Sequence, residues 1–231
     1  MKIYTKESLI EALQEINKRG WIPNARPGNV GGVGNTLEDL LGIKENNLPM
    51  PNAVEWELKC QRVNSSALTT LFHMEPSPRA LKCVPSMLLP KYGWKHELAG
   101  INYPDSEMSF RQTIHGLERS DRGFKIEIDN CNRKVLISFD ASKVDVRHLE
   151  WLESVKERVG LEELNPQPYW SFDDLYHKSG SKLLNCFYVQ AEVKKQEDKE
   201  FFHYNRILIL QGFDFDNFLK ALVIGDVLVD F

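Results

Sequence analysis

The chain has 231 residues and a formal net charge of −4, a length that suits one domain with a sizeable core. Hydrophobic residues at 42% and charged residues at 27% place it among soluble globular proteins, away from disordered or collagenous classes. Its N-terminus is amphipathic and charged, unlike a signal peptide, no apolar run reaches the ~18 residues of a membrane span, and Cys60, Cys83, Cys131 and Cys186 form no C-x-x-C pair, so neither a membrane partner nor a structural zinc site is expected, and a reduced, intracellular protein is.

Lys6 to Lys18 carries Leu9, Ile10, Leu13 and Ile16 at helical spacing, with Gly20 placed to stop the helix. Trp21 to Asn35 reads as a Gly- and Pro-rich loop. Its "GGVGNT" lacks the lysine of a phosphate-binding Walker loop, and a helix precedes it where a Rossmann fingerprint needs a strand. Asn35 and Glu38 have the spacing of a capping box, which predicts a short helix ending near Gly42. Strands are expected at Ala53–Cys60 and Leu68–His73, and the prolines after Ser77 break any long helix there. Phe124–Asp129 and Val135–Asp140, joined by "NCNRK", predict a hairpin. A helix follows at Val146–Val159, ended by Gly160, and a second in the first part of Trp170 to Leu183. Phe187–Lys194 and Phe201–Leu210 read as strands around a charged turn, Asp216–Ile224 as a helix capped by Asp214 or Asp216, and Val227–Phe231 as a last strand. The fold class is therefore mixed α/β (α+β), a sheet flanked by helices.

The stretch "VEWELKC" (Val54 to Cys60) has the richest chemistry. Alternation along a strand puts Glu55, Glu57 and Lys59 on one face and Val54, Trp56 and Leu58 on the other. By itself this predicts a half-buried strand with a charged solvent face. Two carboxylates and an ammonium on one face also suit Mg²⁺-assisted phosphodiester cleavage. Mg²⁺ takes oxygen ligands, and a neighbouring ammonium stabilises developing negative charge or orients the attacking water.

The runs "GNTLEDLLGI", "NNLPMPNAVEWELKCQR" and "SALTTLFHMEPSPRA" resemble the MvaI/BcnI family of type II restriction endonucleases, which belong to the PD-(D/E)XK nucleases and are related to the nicking enzyme MutH. The likeness continues through "FRQTIHGLERSDRGFKIEID", "YWSFDDL" and "YNRILILQGFDFDNFLKALVIGDVLVDF". It implies a restriction-endonuclease-like, MutH-like core in a single domain over residues 1–231, two-lobed around a DNA cleft. Glu57 and Lys59 match the (D/E)-x-K pair. Glu38 matches a helix glutamate near the metal, and His73 looks like an active-site histidine; their plainer readings are a capping glutamate and a polar residue at a strand end. The family signature opens on Pro-Asp, whereas this chain has Pro51-Asn52. Glu55 replaces the missing carboxylate, Asn52 is an inactivating change, or another acid fills the place. The first is preferred, with Glu57, Glu55 and Asn52 as the metal set.

DNA-contacting candidates are Arg26, Arg62, Arg79, Arg111, Arg119 and Arg122, each with a solvated surface charge as its plainer reading, and Gly28, Gly31, Gly32 and Gly34 for close backbone approach. The resemblance implies a Mg²⁺ cofactor, a double-stranded DNA substrate with a short near-palindromic site, a cognate DNA methyltransferase as functional partner, a monomer, and a bacterial cytoplasmic location. Relatives run on past the position of Phe231 into a base-reading hairpin, so a missing recognition segment is expected. Strand nicking of the MutH kind, and DNA binding without cleavage because of Asn52, are the rival functions.

Overall fold

Thr5 opens the first helix, α1 (Lys6–Lys18), through a capping box with Ser8, and Leu9, Leu13 and Ile16 are its buried stripe. In the computed structural model the described residues are 3–29, 31–43, 55–63, 65, 68–179 and 183–231. The chain divides into two compact units, Met1–His73 with His177–Asp214, and Met74–Tyr176 with Phe215–Phe231.

The first unit contains α1, β1 (Ile22–Pro23), α2 (Gly32–Leu41), β2 (Glu57–Arg62), β9 (Asn185–Gln196) and β10 (Lys199–Gln211). Its sheet runs β1-β10-β9-β2. β9 and β10 form a hairpin closed by Glu197 and Asp198, both left-handed as a tight hairpin turn requires. β2 lies parallel to β9, with Glu57 opposite Cys186 and Lys59 opposite Tyr188. A parallel pair needs a long crossover, and here the second unit's residues 74–176 lie within it. One sheet face, with Leu58, Phe187, Val189, Ala191, Phe202 and Tyr204, packs with the α1 and α2 stripes into a single core.

In the second unit, β6 (Phe124–Asp129), β7 (Lys134–Phe139) and β8 (Tyr169–Ser171) form an antiparallel sheet. α3 (Leu89–Tyr92), α4 (Leu149–Val159) and α6 (Phe215–Ile224) accompany it, and α5 (Phe172–Ser179) follows β8. Two-stranded ladders join β3 (Trp94–Lys95) to β4 (Met108–Ser109), and β5 (Thr113–Ile114) to β11 (Val229–Asp230). The core is aromatic: Tyr92, Trp94, Phe110, Phe124, Phe139 and Trp151 meet largely edge to face.

The mixed α+β architecture, the first helix and the Phe124 hairpin agree with the sequence reading. Four expectations need correction. α2 begins at Gly32, three residues before Asn35, and Gly31 caps it without a side chain, so the Asn35–Glu38 capping box does not form. The anticipated strand at Ala53–Cys60 is β2 at Glu57–Arg62; Ala53 and Val54 lie outside the described residues. Leu68–His73 is irregular chain and not a strand. Val146–His148 is a 3₁₀ turn ahead of α4, organised by the Asp145 carboxylate, which accepts the Arg147 N–H.

Candidate active site

β2 presents its polar face through the two-residue period of a strand. Register places Glu57, Lys59 and Gln61 on the same face as Cys186, Tyr188 and Gln190. This face is not the wet one that the charge pattern predicts: Glu57 is only 2% exposed. Its carboxylate lies 3.1 Å from Lys59 Nζ, which also reaches the Leu71 carbonyl at 3.5 Å. The irregular 68–73 segment therefore passes over the β2 face and helps to hold the ammonium. Lys59, Gln61, Thr69, Tyr188, Gln190 and Leu208 contribute to a cavity of about 120 Å³ beside this pair. Burial pushes the Cys186 thiol up to about 12, the nearby Glu57 carboxylate adding to the rise, and it drives the Tyr188 phenol well above its ordinary range. The centre is thus a charged pair set among groups that stay neutral.

The other site candidates are placed less uniformly. Glu55 is exposed at a bend before β2, so the strand period that would align it with Glu57 does not extend to it. Asn52 lies outside the described residues. Glu38 is half-buried on α2, near enough to Cys60 to add to a rise in that thiol, to about 12, that burial dominates. His73 is exposed, two residues past the carbonyl that receives Lys59. Among the described residues no group of three or more His, Cys, Asp or Glu side chains gathers for a metal. Glu57 remains the buried oxygen donor best placed for a hard cation, which needs only one or two carboxylates.

The arginines separate by partner. Arg26 pairs with Asp39 at 2.9 Å and Arg79 with Asp174 at 3.2 Å. Arg62 pairs with Glu200 at 2.9 Å and lies over the Phe202 ring. Arg119 is built into the second unit, donating to the Gly123 carbonyl, Ser138 and Glu127. Arg111 is exposed and its side chain has no ion pair among the described residues. The glycine-rich segment is tied down by Asn24, whose amide donates to Glu200 and whose carbonyl oxygen accepts the Arg26 N–H.

A family model described as the MvaI/BcnI restriction endonuclease family matches residues 10–231. The chain belongs to that family. It is 27% identical to the restriction endonuclease MvaI in a complex with its cognate DNA substrate, with a TM-score of 0.72 over 98% of this chain and 84% of that one. Against MvaI in the absence of DNA the identity is 27% and the TM-score 0.50, over 100% of this chain and 84% of the other. No curated protein matches it. Membership of the MvaI/BcnI family makes the protein a type II, site-specific DNA endonuclease with a restriction-endonuclease-like fold. No helix among the described residues is long and apolar enough to cross a membrane. Sequence reasoning missed Cys186, Tyr188 and Gln190 beside the E-x-K pair. Their only signal was an apolar-polar alternation in β9, and nothing local says that β9 lies next to β2.

Proposed function

We propose that the enzyme cuts double-stranded DNA at a short, near-palindromic site in a Mg²⁺-dependent reaction centred on Glu57 and Lys59. The carrying observation is the nearly buried Glu57 carboxylate beside the Lys59 ammonium on β2, in a chain of this family. The complex of MvaI with cognate DNA supports a duplex substrate. Glu57 would hold the ion, with Glu55 and Asn52 as further oxygen donors. When bound, Mg²⁺ supplies charge neutralisation at the scissile phosphoryl group and acidifies water. Lys59, steered by Glu57 and the Leu71 carbonyl, places its ammonium against the negative charge that develops on the phosphoryl oxygens. His73 and Glu38 support the centre, and Arg111 is the readiest contact for the DNA backbone because it is exposed and without an ion pair among the described residues; Arg26, Arg62, Arg79 and Arg119 would each exchange the carboxylate they now meet for a phosphate. The enzyme acts as a monomer in a bacterial cytoplasm, with a cognate methyltransferase protecting host DNA.

Asn52 in the place of the motif Asp favours one second reading, a protein that binds DNA without cutting it. A supercoiled plasmid incubated with Mg²⁺ tests both. Linear product is expected; open-circular product alone indicates a nicking enzyme, and retarded but intact plasmid indicates the binder. Asn52→Asp runs beside the parent. If it activates an inert parent, Glu55 is not the substitute carboxylate. If Glu55→Gln abolishes cleavage while DNA binding persists, Glu55 is.

A further inference from the structure

Arg122 differs from the other arginines of the second unit. Arg79, Arg119, Arg133 and Arg147 each meet a carboxylate, and Arg158 donates to the carbonyls of Pro90, Gly93 and Ser154. Arg111 is simply exposed. Arg122 is half-buried, has no hydrogen-bond acceptor among the described residues, and keeps Nε buried and unsatisfied. The carboxylate nearest in sequence, Asp121, is held by Arg147 at 2.6 Å. The guanidinium lies over the Trp94 ring at 3.8 Å and 5.5 Å from the Trp151 ring.

This seat is rigid. Trp151 Nε1 donates to the carbonyls of Tyr92 and Gly93 at 3.1 and 3.2 Å, fixing its indole. Gly123 follows Arg122 at φ +78, and a Cβ there would collide with the Asp140 carbonyl, so the backbone behind the arginine is set by packing. A guanidinium has five donors in a fixed fork, and aromatic faces satisfy its charge only in part. A half-buried cation with unfilled donors costs stability, and burial does oppose the charge here. A planar cation pre-oriented by stacking is the arrangement that receives an oxyanion.

We propose that Arg122, held on Trp94, is a preformed contact for a phosphodiester group of the DNA backbone. The assignment rests on the nuclease reading above. A phosphate suits the position better than a base edge, since bases lie at the floor of a groove and their readers must protrude. Arg122 lies back against its own aromatic core and meets only what comes to the surface.

The test uses Arg122→Met in the full chain, binding a labelled duplex of arbitrary sequence without Mg²⁺ over a range of salt, with inorganic phosphate in a parallel arm. Neutralising one phosphate fewer should make the slope of log affinity on log salt shallower by about 0.9. Affinity should weaken by the same factor for any sequence, and the melting temperature should stay equal or rise, since an unmet charge has gone. Arg122→Gln provides the same reading where Met packs poorly. An unchanged slope with a lowered melting temperature would make Arg122 a structural cation and overturn the proposal. So would a loss confined to one sequence, which would mean base reading, or stabilisation of the parent by phosphate alone with the DNA slope unchanged. A parent that binds no DNA at all would defeat the nuclease reading together with this one.

Discussion

Glu57 and Lys59 sit two positions apart because a strand repeats every two residues, and that spacing was legible in the sequence. What the spacing left open was the environment of the pair. Glu57 is nearly buried while Lys59 keeps 21% of its side-chain surface. Lys59→Met would leave a carboxylate inside without its cation. We expect cleavage to be abolished and stability to fall by roughly 1–3 kcal/mol, less than for a fully buried pair because the lysine is partly solvated. Plasmid cleavage and urea denaturation measure the two, and a fully active variant would remove Lys59 from the chemistry. Glu55 shows how far the strand period reaches: Trp56 is still buried with Leu58, whereas Glu55, two residues before the ladder begins, sits at an exposed bend. The cysteines give a second check. Burial holds Cys60 and Cys186 up at about 12, and Cys83 is raised as well, whereas Cys131 is exposed. Alkylation of the folded protein near neutral pH should therefore label Cys131 quickly and the others only on unfolding, since the thiolate is the reactive form. Peptide mass mapping that finds Cys186 modified as fast as Cys131 would contradict burial of the face that Cys186 shares with Glu57.

At the scale of elements, the segment between α1 and α2 changed character most. Its glycines suggested close approach to DNA, but Gly32 serves a packing role: a Cβ there would lie 2.9 Å from the Asn24 amide. That amide holds Glu200, which holds Arg62, so the chain between α1 and α2 is fastened to β10 and β2. Gly32→Ala should cost about 1–3 kcal/mol by forcing the Asn24 side chain away. A melting temperature equal to the parent's would show that Asn24 can move without cost. The early start of α2 has the same origin, because Val33 and Leu37 are drawn into the core and extend the helix ahead of its expected cap. Local capping signals lose to core burial when the two disagree by less than a turn. α1 was read correctly because its cap and its apolar stripe agree.

Over the whole molecule, a net charge of −4 must still permit DNA binding, so positive potential has to be local. Duplex affinity should fall steeply between low and physiological salt. Chelation should stop cleavage while sparing that affinity, and added Mg²⁺ should restore cutting. Cleavage that persists in chelator would refute the metal-dependent reading. The chain builds its first unit from Met1–His73 and His177–Asp214, so β2 acquires its neighbour β9 only after more than a hundred intervening residues. The sequence by itself determined the mixed class, the stripe of α1, the Phe124 hairpin and the E-x-K pair, because each rests on a period or spacing of a few residues. Tertiary structure alone decided that Glu57 is buried, that Tyr188 and Cys186 stand beside it, that Leu71 reaches Lys59, and that Arg119 pairs inward while Arg122 does not. Those contacts are set by how faces pack and not by a short period, and the neighbours of Glu57 on β9 come from more than a hundred residues away, so no local pattern encodes them.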